Sequence, residues 1–402
     1  MRVSTAQFYL QSALQMSNKT SDVNDQMSHL TSGKRVQTAK DDAVQYSTLV
    51  GYKESLANIE KYQRNITQAE SHNNLQEIVF ADAELLLDQI KQDMLLANNG
   101  RMSDEDLQSL AKETRTNFNQ LLDIANSQNS NGDYIFSGYQ TETKPFSQQV
   151  DGSVLYNGDT GVNELQIAKN INIVTNQAGD AAFLNIANTI GDFKASYATN
   201  TSGVAVDSAN ITNRGTYNTS ALPHEYEFTF DATTNDLTVT DSAGSIVFPP
   251  APYTAGETVS FDGIDVTLSG NPLPGDSFTI SPEEDISVFT TINDAIAWME
   301  KGSVSTNQEQ HQVDYSAILN QLNESMVHIT SRRVDSGIRL QVLEGQKSRH
   351  LDSELNITTG KSNIEDLDFA KAISEFEQSK IALQASQQAF TKVQGLTLFN
   401  YI

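Results

Sequence analysis

The chain has 402 residues, a net charge of −25 and no cysteine. The acidic excess argues against a phosphate-binding surface, because nucleic-acid affinity depends on clustered lysine and arginine, and it disfavours docking on an anionic membrane. The lack of cysteine excludes disulfides, thiolate chemistry and cysteine-type zinc sites. No apolar run reaches the roughly 18 residues of a membrane span, and residues 1–4 lack the features of a cleaved secretory signal. We therefore expect no nucleic-acid partner, no membrane partner and no export by the secretory route.

Proline and charge divide the chain into three parts. All eight prolines lie between Pro145 and Pro282, and a proline inside a helix costs about 3 kcal/mol. Residues 147–290 also hold 18 acidic residues against three basic ones. We predict helical arms at both chain ends and a separate, acidic domain of another kind between them.

The first arm is predicted to form three helices. The first begins at a capping box on Ser4, ends at residues 31–35, and carries an apolar stripe at helical spacing: Val3, Leu10, Val23, Met27 and Leu30. A long second helix is predicted to start near Asp41 and Asp42, whose carboxylates suit a helix N-terminus, and to end at residues 98–100. Ser103 is predicted to cap the third.

The acidic middle part reads mainly as β structure. Short β-prone runs alternate with glycine, proline and aspartate turns, at residues 226–230, 237–240, 246–248, 258–261, 264–268 and 278–280. Strands of this length and spacing predict a sandwich or a small barrel. Residues 182–197 are predicted to form a short helix instead.

The last forty residues carry a second apolar stripe. Ser362 and Glu365 are spaced as a capping box, and Gly395 is predicted to end the helix. The stripe consists of Phe369, Ile373, Phe376, Leu383 and Phe390, and an apolar cluster follows it at Leu396, Leu398, Phe399, Tyr401 and Ile402. Chain ends are normally polar, so we expect this cluster to be covered.

The two stripes lie at opposite ends of the chain, and each needs a partner. We therefore predict a mostly α protein in which both chain ends form an antiparallel coiled coil or helix bundle, with an inserted all-β domain. The predicted domains are the coiled-coil arms 1–42 and 362–402, the two halves of a helical rod, 43–146 and 287–361, and the β domain, 147–286.

No catalytic or metal-binding constellation stands out. The six histidines are scattered, and none pairs with another at ligand spacing. His224 and Glu225 begin like a zinc-binding H-E-x-x-H motif, but Phe228 occupies the second ligand position and the run alternates like a strand. We expect no catalytic residue, no cofactor and no metal.

Motifs at both chain ends resemble those of the bacterial flagellin superfamily. They are residues 30–36 (LTSGKRV) with 39–43 (AKDDA), and residues 364–370 (IEDLDFA) with 384–386 (QAS). Further segments resemble the hook–filament junction branch of that superfamily more than the filament flagellins: 131–138 (NGDYIFSG), 143–146 (TKPF), 156–159 (YNGD) and 395–402 (GLTLFNYI).

The resemblance implies a structural, non-enzymatic role in motility. Such junction proteins leave the cell through the flagellar type III apparatus without a cleaved signal, after a cytosolic chaperone has held the C-terminal helix. Outside the cell they close into a ring of about eleven copies, between hook-associated protein 1 and the flagellin filament. The fifteen stripe and cluster residues of the two arms would form the assembly interface.

Two alternatives remain open at this stage. The chain could be a filament flagellin, which shares the terminal motifs. It could instead be a secreted adhesin, glycan-binding protein or hydrolase whose activity resides in the β domain.

Overall fold

The computed structural model describes residues 2–197, 203–302 and 308–399, with side chains at the two ends described for Gln7 and from Tyr9 to Lys392. The chain divides into two compact units. Unit 1 comprises residues 1–64 and 345–402, and unit 2 comprises residues 65–344. Two long helices, α2 (Ala43–Ala97) and α7 (Gln308–Glu365), contribute to both units.

Unit 1 brings the two chain ends together. Helix α1 (Arg2–Ser32) packs against helix α8 (Phe369–Phe399). The rings of Tyr9 and Phe390 meet near one end of the pair, while Gly33 lies against Phe369 at the other. The two helices are therefore antiparallel, as the sequence predicted.

The helical part of unit 2 surrounds an aromatic core. Helices α3 (Asp104–Ala125) and α6 (Val288–Glu300) pack together beside α2 and α7. Ser103 caps α3 through a complete capping box with Asp106. Six phenylalanines are buried in this core, namely Phe80, Phe118, Phe136, Phe146, Phe183 and Phe289. Their edge-to-face and tilted contacts are the favoured ring geometries.

Short hairpins lie beside these helices. Strand β1 (Phe146–Gln148) pairs with β2 (Val154–Tyr156), and β3 (Glu164–Ala168) pairs with β4 (Ile171–Val174). Helix α4 (Gly179–Phe183) follows, and β5 (Ile186–Ala187) pairs with β14 (Asp285–Ile286). The β3–β4 hairpin contributes Ile167 and Ile173 to a small core with α2 and α7.

A β domain occupies the middle of the chain. Its five-stranded antiparallel sheet has the order β10 (Ile246–Pro252), β9 (Asp236–Asp241), β8 (Tyr226–Phe230), β13 (Ser277–Pro282) and β6 (Phe193–Ser196). A three-stranded sheet has the order β11 (Thr258–Phe261), β12 (Ile264–Ser269) and β7 (Ala205–Ile211), and α5 (Arg214–Tyr217) follows β7. Phe261 of the smaller sheet contacts Tyr226 and Phe228 of the larger one in a shared core. The domain is thus a sandwich, and the predicted fold class is confirmed.

Three local predictions were wrong. Ser362 lies inside α7, and Asp368 caps α8 by accepting from the N–H of Lys371. Helix α8 continues past Gly395 to Phe399, because a glycine inside a helix costs only about 1 kcal/mol. Residues 182–197 form the end of α4 and then β5 and β6, whose partner strands come from much later in the chain.

A fourth prediction concerned Ser4. It lies within α1, which begins at Arg2, rather than ahead of the helix. A helix end at residues 31–35, another after Ala97, and a start just after Asp42 all agree with the sequence prediction.

Candidate assembly interface

The pair of terminal helices is held along a narrow seam. The half-buried side chains of α1 follow a heptad register, with spacings of three and four residues and one of seven between Met16 and Val23. They are Tyr9, Ser12, Met16, Val23, Gln26 and Leu30, with His29 beside Leu30. Those of α8 do the same at Phe376, Ser379, Leu383, Ser386 and Phe390, after the buried Ala372. This alternation is the heptad spacing of a coiled coil, and serine and glutamine occupy part of it. Such a seam buries little apolar surface.

The predicted stripes divide between this seam and a second face. Val23, Leu30, Phe376, Leu383 and Phe390 are seam residues. Four other predicted residues are at least half exposed: Leu10 (64%), Met27 (51%), Phe369 (53%) and Ile373 (52%). Val3, Leu396, Leu398, Phe399, Tyr401 and Ile402 fall outside the described side chains.

Two further exposed residues extend the second face. Leu14 is 57% exposed and Ile381 is 61% exposed, and each falls at helical spacing from its predicted neighbours. Helices that carry apolar side chains on two faces pack against more than one neighbour in a bundle. Phe369 precedes Phe376 by seven residues, in the register of the seam, and lies against Gly33, so it is not part of this face. We name the other five exposed residues the outer face: Leu10, Leu14, Met27, Ile373 and Ile381.

Sequence reasoning missed part of the seam. Tyr9, Met16 and Ala372 were not predicted, although Tyr9 makes an edge-to-face contact with Phe390 at 5.9 Å between ring centroids. A heptad count along each helix would have found them, because it separates the half-buried face from the exposed one.

The segments that precede α8 and follow α1 join in a short backbone ladder. The N–H of Arg35 donates to the carbonyl of Glu365 at 2.7 Å, and the N–H of Leu367 donates to the carbonyl of Gly33 at 3.0 Å. The guanidinium of Arg35 also donates to the carbonyl of Ile364 at 2.9 Å. The two flagellin-like motifs of the sequence thus bind each other directly.

A buried carboxylate lies at the centre of this contact. The side chain of Glu365 is only 4% exposed and accepts from Lys34 at 2.7 Å, with Lys53 at 3.2 Å and Lys361 at 3.5 Å. Burial alone would raise the pKa of Glu365, but the bonds and charges of Lys34 and Lys53 hold it below its usual range. We call residues 33–35 and 364–367, with Lys53 and Lys361, the clasp.

The loop after the clasp is itself well ordered. Asp41 accepts from the N–H groups of Gln37 and Thr38 at 2.9 and 2.8 Å. Burial would raise the pKa of Asp41, yet these backbone donors lower it overall. Asp42 then caps α2 by accepting from the N–H of Val44 and of Gln45.

The helices of unit 2 are connected by a separate ion-pair network. Arg333 on α7 donates to Glu77 at 2.8 Å and to Glu84 at 2.9 Å on α2. Thr330 also donates to Glu84. Exposed ion pairs contribute about 0–1 kcal/mol each, so this network orients α7 more than it stabilises it.

A cleft of about 1260 Å³ opens in unit 2 beside the β domain. Its lining carries both signs of charge, including Lys194, Asp294 and Lys301. Within the described ranges, no three histidine, aspartate or glutamate side chains are placed to hold a metal ion. None of the helices described there is both long and apolar enough to cross a membrane.

Comparison with known protein families gives matches along most of the chain. The family model of the bacterial flagellin N-terminal helical region matches residues 3–141, and that of the C-terminal helical region matches residues 319–402. The model of the D2-like domain of flagellar hook-associated protein 1 matches residues 195–282.

Individual relatives match over nearly the whole length. Flagellar hook-associated protein 3 of Escherichia coli (strain K12) is 25% identical over 399 residues, with 99% of both chains covered. Its counterpart in Salmonella typhimurium is 25% identical over 403 residues, again with 99% of both chains covered. The crystal structure of flagellar hook associated protein-3 from Legionella pneumophila superposes with a TM-score of 0.67 at 29% identity, covering 78% of this chain and 98% of that one.

Proposed function

The chain belongs to the bacterial flagellin superfamily, and we propose that it works as a hook–filament junction protein of the hook-associated protein 3 type. One observation carries the proposal. The chain ends match the two helical regions of flagellin, whereas the β domain between them matches a domain of hook-associated protein 1. A chain that has features of both flagellin and hook-associated protein 1 is suited to a position between these two proteins.

The outer face supports an assembly role. Its apolar side chains are exposed on the single chain, and contiguous exposed apolar surface marks interaction sites. We infer that neighbouring copies cover Leu10, Met27 and Ile373, and that the apolar cluster at residues 396–402 is covered in the same way. The seam residues would instead hold each copy's own two arms together.

We infer the partners from the same family. Copies of the chain would close into an axial ring of about eleven subunits, with hook-associated protein 1 on one side and flagellin on the other. A chaperone would hold the C-terminal helix before export through the flagellar type III apparatus. The assembled protein would lie outside the cell as part of the flagellum and carry no catalytic activity.

We also propose that the parts of the chain occupy different positions in the assembled flagellum. The arms 1–42 and 362–402 would form the inner coiled coil, and 43–146 with 287–361 would form the rod. The acidic β domain, 147–286, would face the surrounding medium. Its charge of −15, from 18 acidic and three basic residues in 147–290, favours solubility there.

Deletion of the gene tests the junction role against that of a filament flagellin. We expect the deletion strain to keep its hooks, to lack filaments and to release flagellin monomers into the medium, because filament growth has no starting surface. Restoring the gene should restore filaments. A strain that retains hooks but releases no flagellin would show that the deleted chain is itself the filament protein.

Substitutions on the outer face test the interface. We expect the combined change of Leu10, Met27 and Ile373 to serine to abolish filament growth while the purified chain keeps its thermal unfolding profile. Changing Leu222 and Ile246 to serine is the control, because these residues of the β domain are 79% and 61% exposed, and it should leave filament growth intact. Normal filaments in the first variant would contradict the proposed interface.

A second candidate function rests on the cleft of unit 2. Its size exceeds the range of typical ligand sites, about 300–1,000 Å³, and it lies beside the β domain. An adhesin or glycan-binding role would use it. A glycan array probed with the full chain tests this role. Binding that Asp294→Ala abolishes would support it, and an array without signal would rule it out.

A further inference from the structure

The clasp joins segments that are far apart in the sequence through one buried acid. Glu365 contacts lysines from three places: Lys34 from the loop after α1, Lys53 from α2 and Lys361 from α7. The two backbone hydrogen bonds between residues 33–35 and 365–367 fix the register of α1 against α8. Glu365 is thus the common partner of these segments. Its contacts are also strong ones, because a carboxylate binds an ammonium group more strongly than a neutral acceptor does.

Beyond the clasp, little holds the two arms together. Among the α8 side chains that the structure describes, only Ala372 is buried. The seam includes Ser12, Gln26 and Ser379, which add no apolar contact. Helices in proteins gain most of their stability from packing an apolar face, so this pair is weak along most of its length. The position of α8 beside α1 therefore depends on the contact between the end of α1 and the start of α8, which we call the roots of these two helices.

We propose that the clasp acts as a latch that keeps the roots of α1 and α8 side by side in the single chain, before assembly. With the roots held in register, the two arms pair from the clasp toward the chain ends when neighbouring copies supply the missing cover. The latch acts on the single chain, so it goes beyond the proposed junction role and does not depend on it.

The charges around Glu365 give the latch its chemistry. Lys34, Lys53 and Lys361 face the carboxylate, while Arg35 binds the adjacent carbonyl of Ile364 and not the acid. Asp366, the acid next to it in the sequence, accepts from Ser362. Neutralising Glu365 leaves three ammonium groups close together without their shared counterion, and like charges at this distance repel.

The pH dependence follows from the same contacts. The lysines hold the pKa of Glu365 below its usual range, against the effect of burial, which raises it. A lowered carboxyl pKa means that the stabilisation is present above the ordinary value, near 4.3, and is lost as the pH falls through the lower folded value. The latch is therefore closed at neutral pH and opens in acid.

Distance measurements on the single chain test the latch. The chain has no cysteine, so spin labels can be placed through Asn24→Cys and Ser374→Cys, both exposed positions near the roots of α1 and α8. At neutral pH we expect one narrow distance distribution in this labelled protein. With Glu365→Gln added, the separated population should rise by roughly tenfold or more, the equivalent of losing one charge-assisted contact.

Two controls make the result specific. Glu375→Gln removes an exposed acid of α8 that meets only Lys371, at 3.9 Å, and should keep the narrow distribution. The only tryptophan, Trp298, is buried in unit 2, and its fluorescence shows whether that unit remains folded. A narrow distribution in Glu365→Gln overturns the latch.

A second variant covers the case in which Glu365→Gln fails to fold. Lys34→Met with Lys53→Met removes the two nearest cations and keeps the carboxylate, and it should release the roots as well. An unchanged distribution in that variant also overturns the latch. Because these measurements use the single chain, they leave the junction role untouched, and filament growth tests that role separately.

Discussion

Gly33 connects the end of α1 to the clasp. Its φ of +69° lies in the left-handed region, where glycine is favoured. Its N–H donates to the carbonyl of His29, and its carbonyl accepts from Leu367. A Cβ atom at this position would lie 3.4 Å from Cζ of Phe369. One residue thus ends a helix and begins the contact with the other chain end.

Replacement of Gly33 by alanine should weaken the clasp. We expect a loss of about 1–2 kcal/mol, because an L-residue in this conformation is strained, and the ring of Phe369 must also shift. Hydrogen exchange at Arg35 and Leu367, whose amides form the ladder, measures the effect.

Gly51→Ala is the matched control for that substitution. Gly51 lies inside α2, and nothing is within 4 Å of the position of its missing Cβ. Alanine there should stabilise the helix by about 0.5–1 kcal/mol. Equal exchange rates at the ladder in Gly33→Ala and in the unmodified protein would contradict the role given to Gly33.

Asp93 in unit 2 opposes stability at neutral pH. Burial and, next, the charge of Glu113 raise the pKa of this carboxyl to about 6, against the opposing effect of the hydrogen bond from Thr114. A carboxyl whose pKa is raised by folding is unfavourable when ionised, so its cost is present above about 6 and disappears as the pH falls toward 4.

We expect Asp93→Asn to stabilise unit 2 at pH 7.5, by no more than about 1 kcal/mol after allowance for solvent screening. The gain should vanish near pH 4, which thermal unfolding at both values can measure. Asp82→Asn, an exposed change on the same helix, is the control. A gain that is equal at both pH values would show that the charge of Asp93 is not its cause.

At the scale of helices and strands, the predicted helix ends were correct where a residue next to the helix in the sequence caps it. Asp42 and Ser103 cap the helices that follow them, and Gly33 ends α1, as the sequence predicted. Each of these depends on residues within one turn of the helix end. Strands β8 and β11 were also predicted with their observed bounds.

Other elements depend on distant parts of the chain. Ser362 has the residue type of a cap, yet α7 continues through it until Glu365 reaches the lysines of the clasp. Strands β5 and β6 read locally as a helix, but β14 and β13 supply their hydrogen bonds from almost a hundred residues away. The clasp itself was invisible for the same reason, because its two motifs are 331 residues apart in the pair Lys34–Glu365.

The candidate interface was predicted in part. The stripes identified apolar residues correctly, but they did not separate the seam from the outer face. That distinction depends on the rotation of α1 against α8, which residues such as Ala372 and Tyr9 set through contact. Sequence periodicity locates an apolar stripe that is at least about 100° wide around the helix. A stripe of that width does not separate two adjacent faces.

The weakness of the seam predicts rapid motion in the unassembled arms. In a purified monomer we expect the amides of residues 9–20 and 381–392, the parts of the arms farther from the clasp, to exchange within seconds, because few buried contacts oppose opening. The amides of α3 and α6, whose side chains fill the unit 2 core, should be strongly protected. Hydrogen exchange followed by mass spectrometry distinguishes the two, and strong protection of the arms in a proven monomer would contradict our account.

At the scale of the whole molecule, the fold returns both chain ends to one place and leaves apolar surface uncovered there. The same ends carry the flagellin matches, while the β domain carries the match to hook-associated protein 1. We expect arms that resemble those of flagellin to stack on flagellin along the filament axis. We expect the acidic domain, which is separate from the arms, to take no part in that contact. We therefore propose that the molecule assembles through its two ends.

The most direct test of this account is filament growth from hooks on cells that lack this chain. Purified protein is added to cells that carry hooks and hook-associated protein 1 but lack this chain, and flagellin monomers are then supplied. We predict filaments on the hooks that received the protein, seen by electron microscopy, and none on hooks treated with the outer-face variant of Leu10, Met27 and Ile373. Flagellin that stays monomeric after addition of the unmodified protein would contradict the junction role.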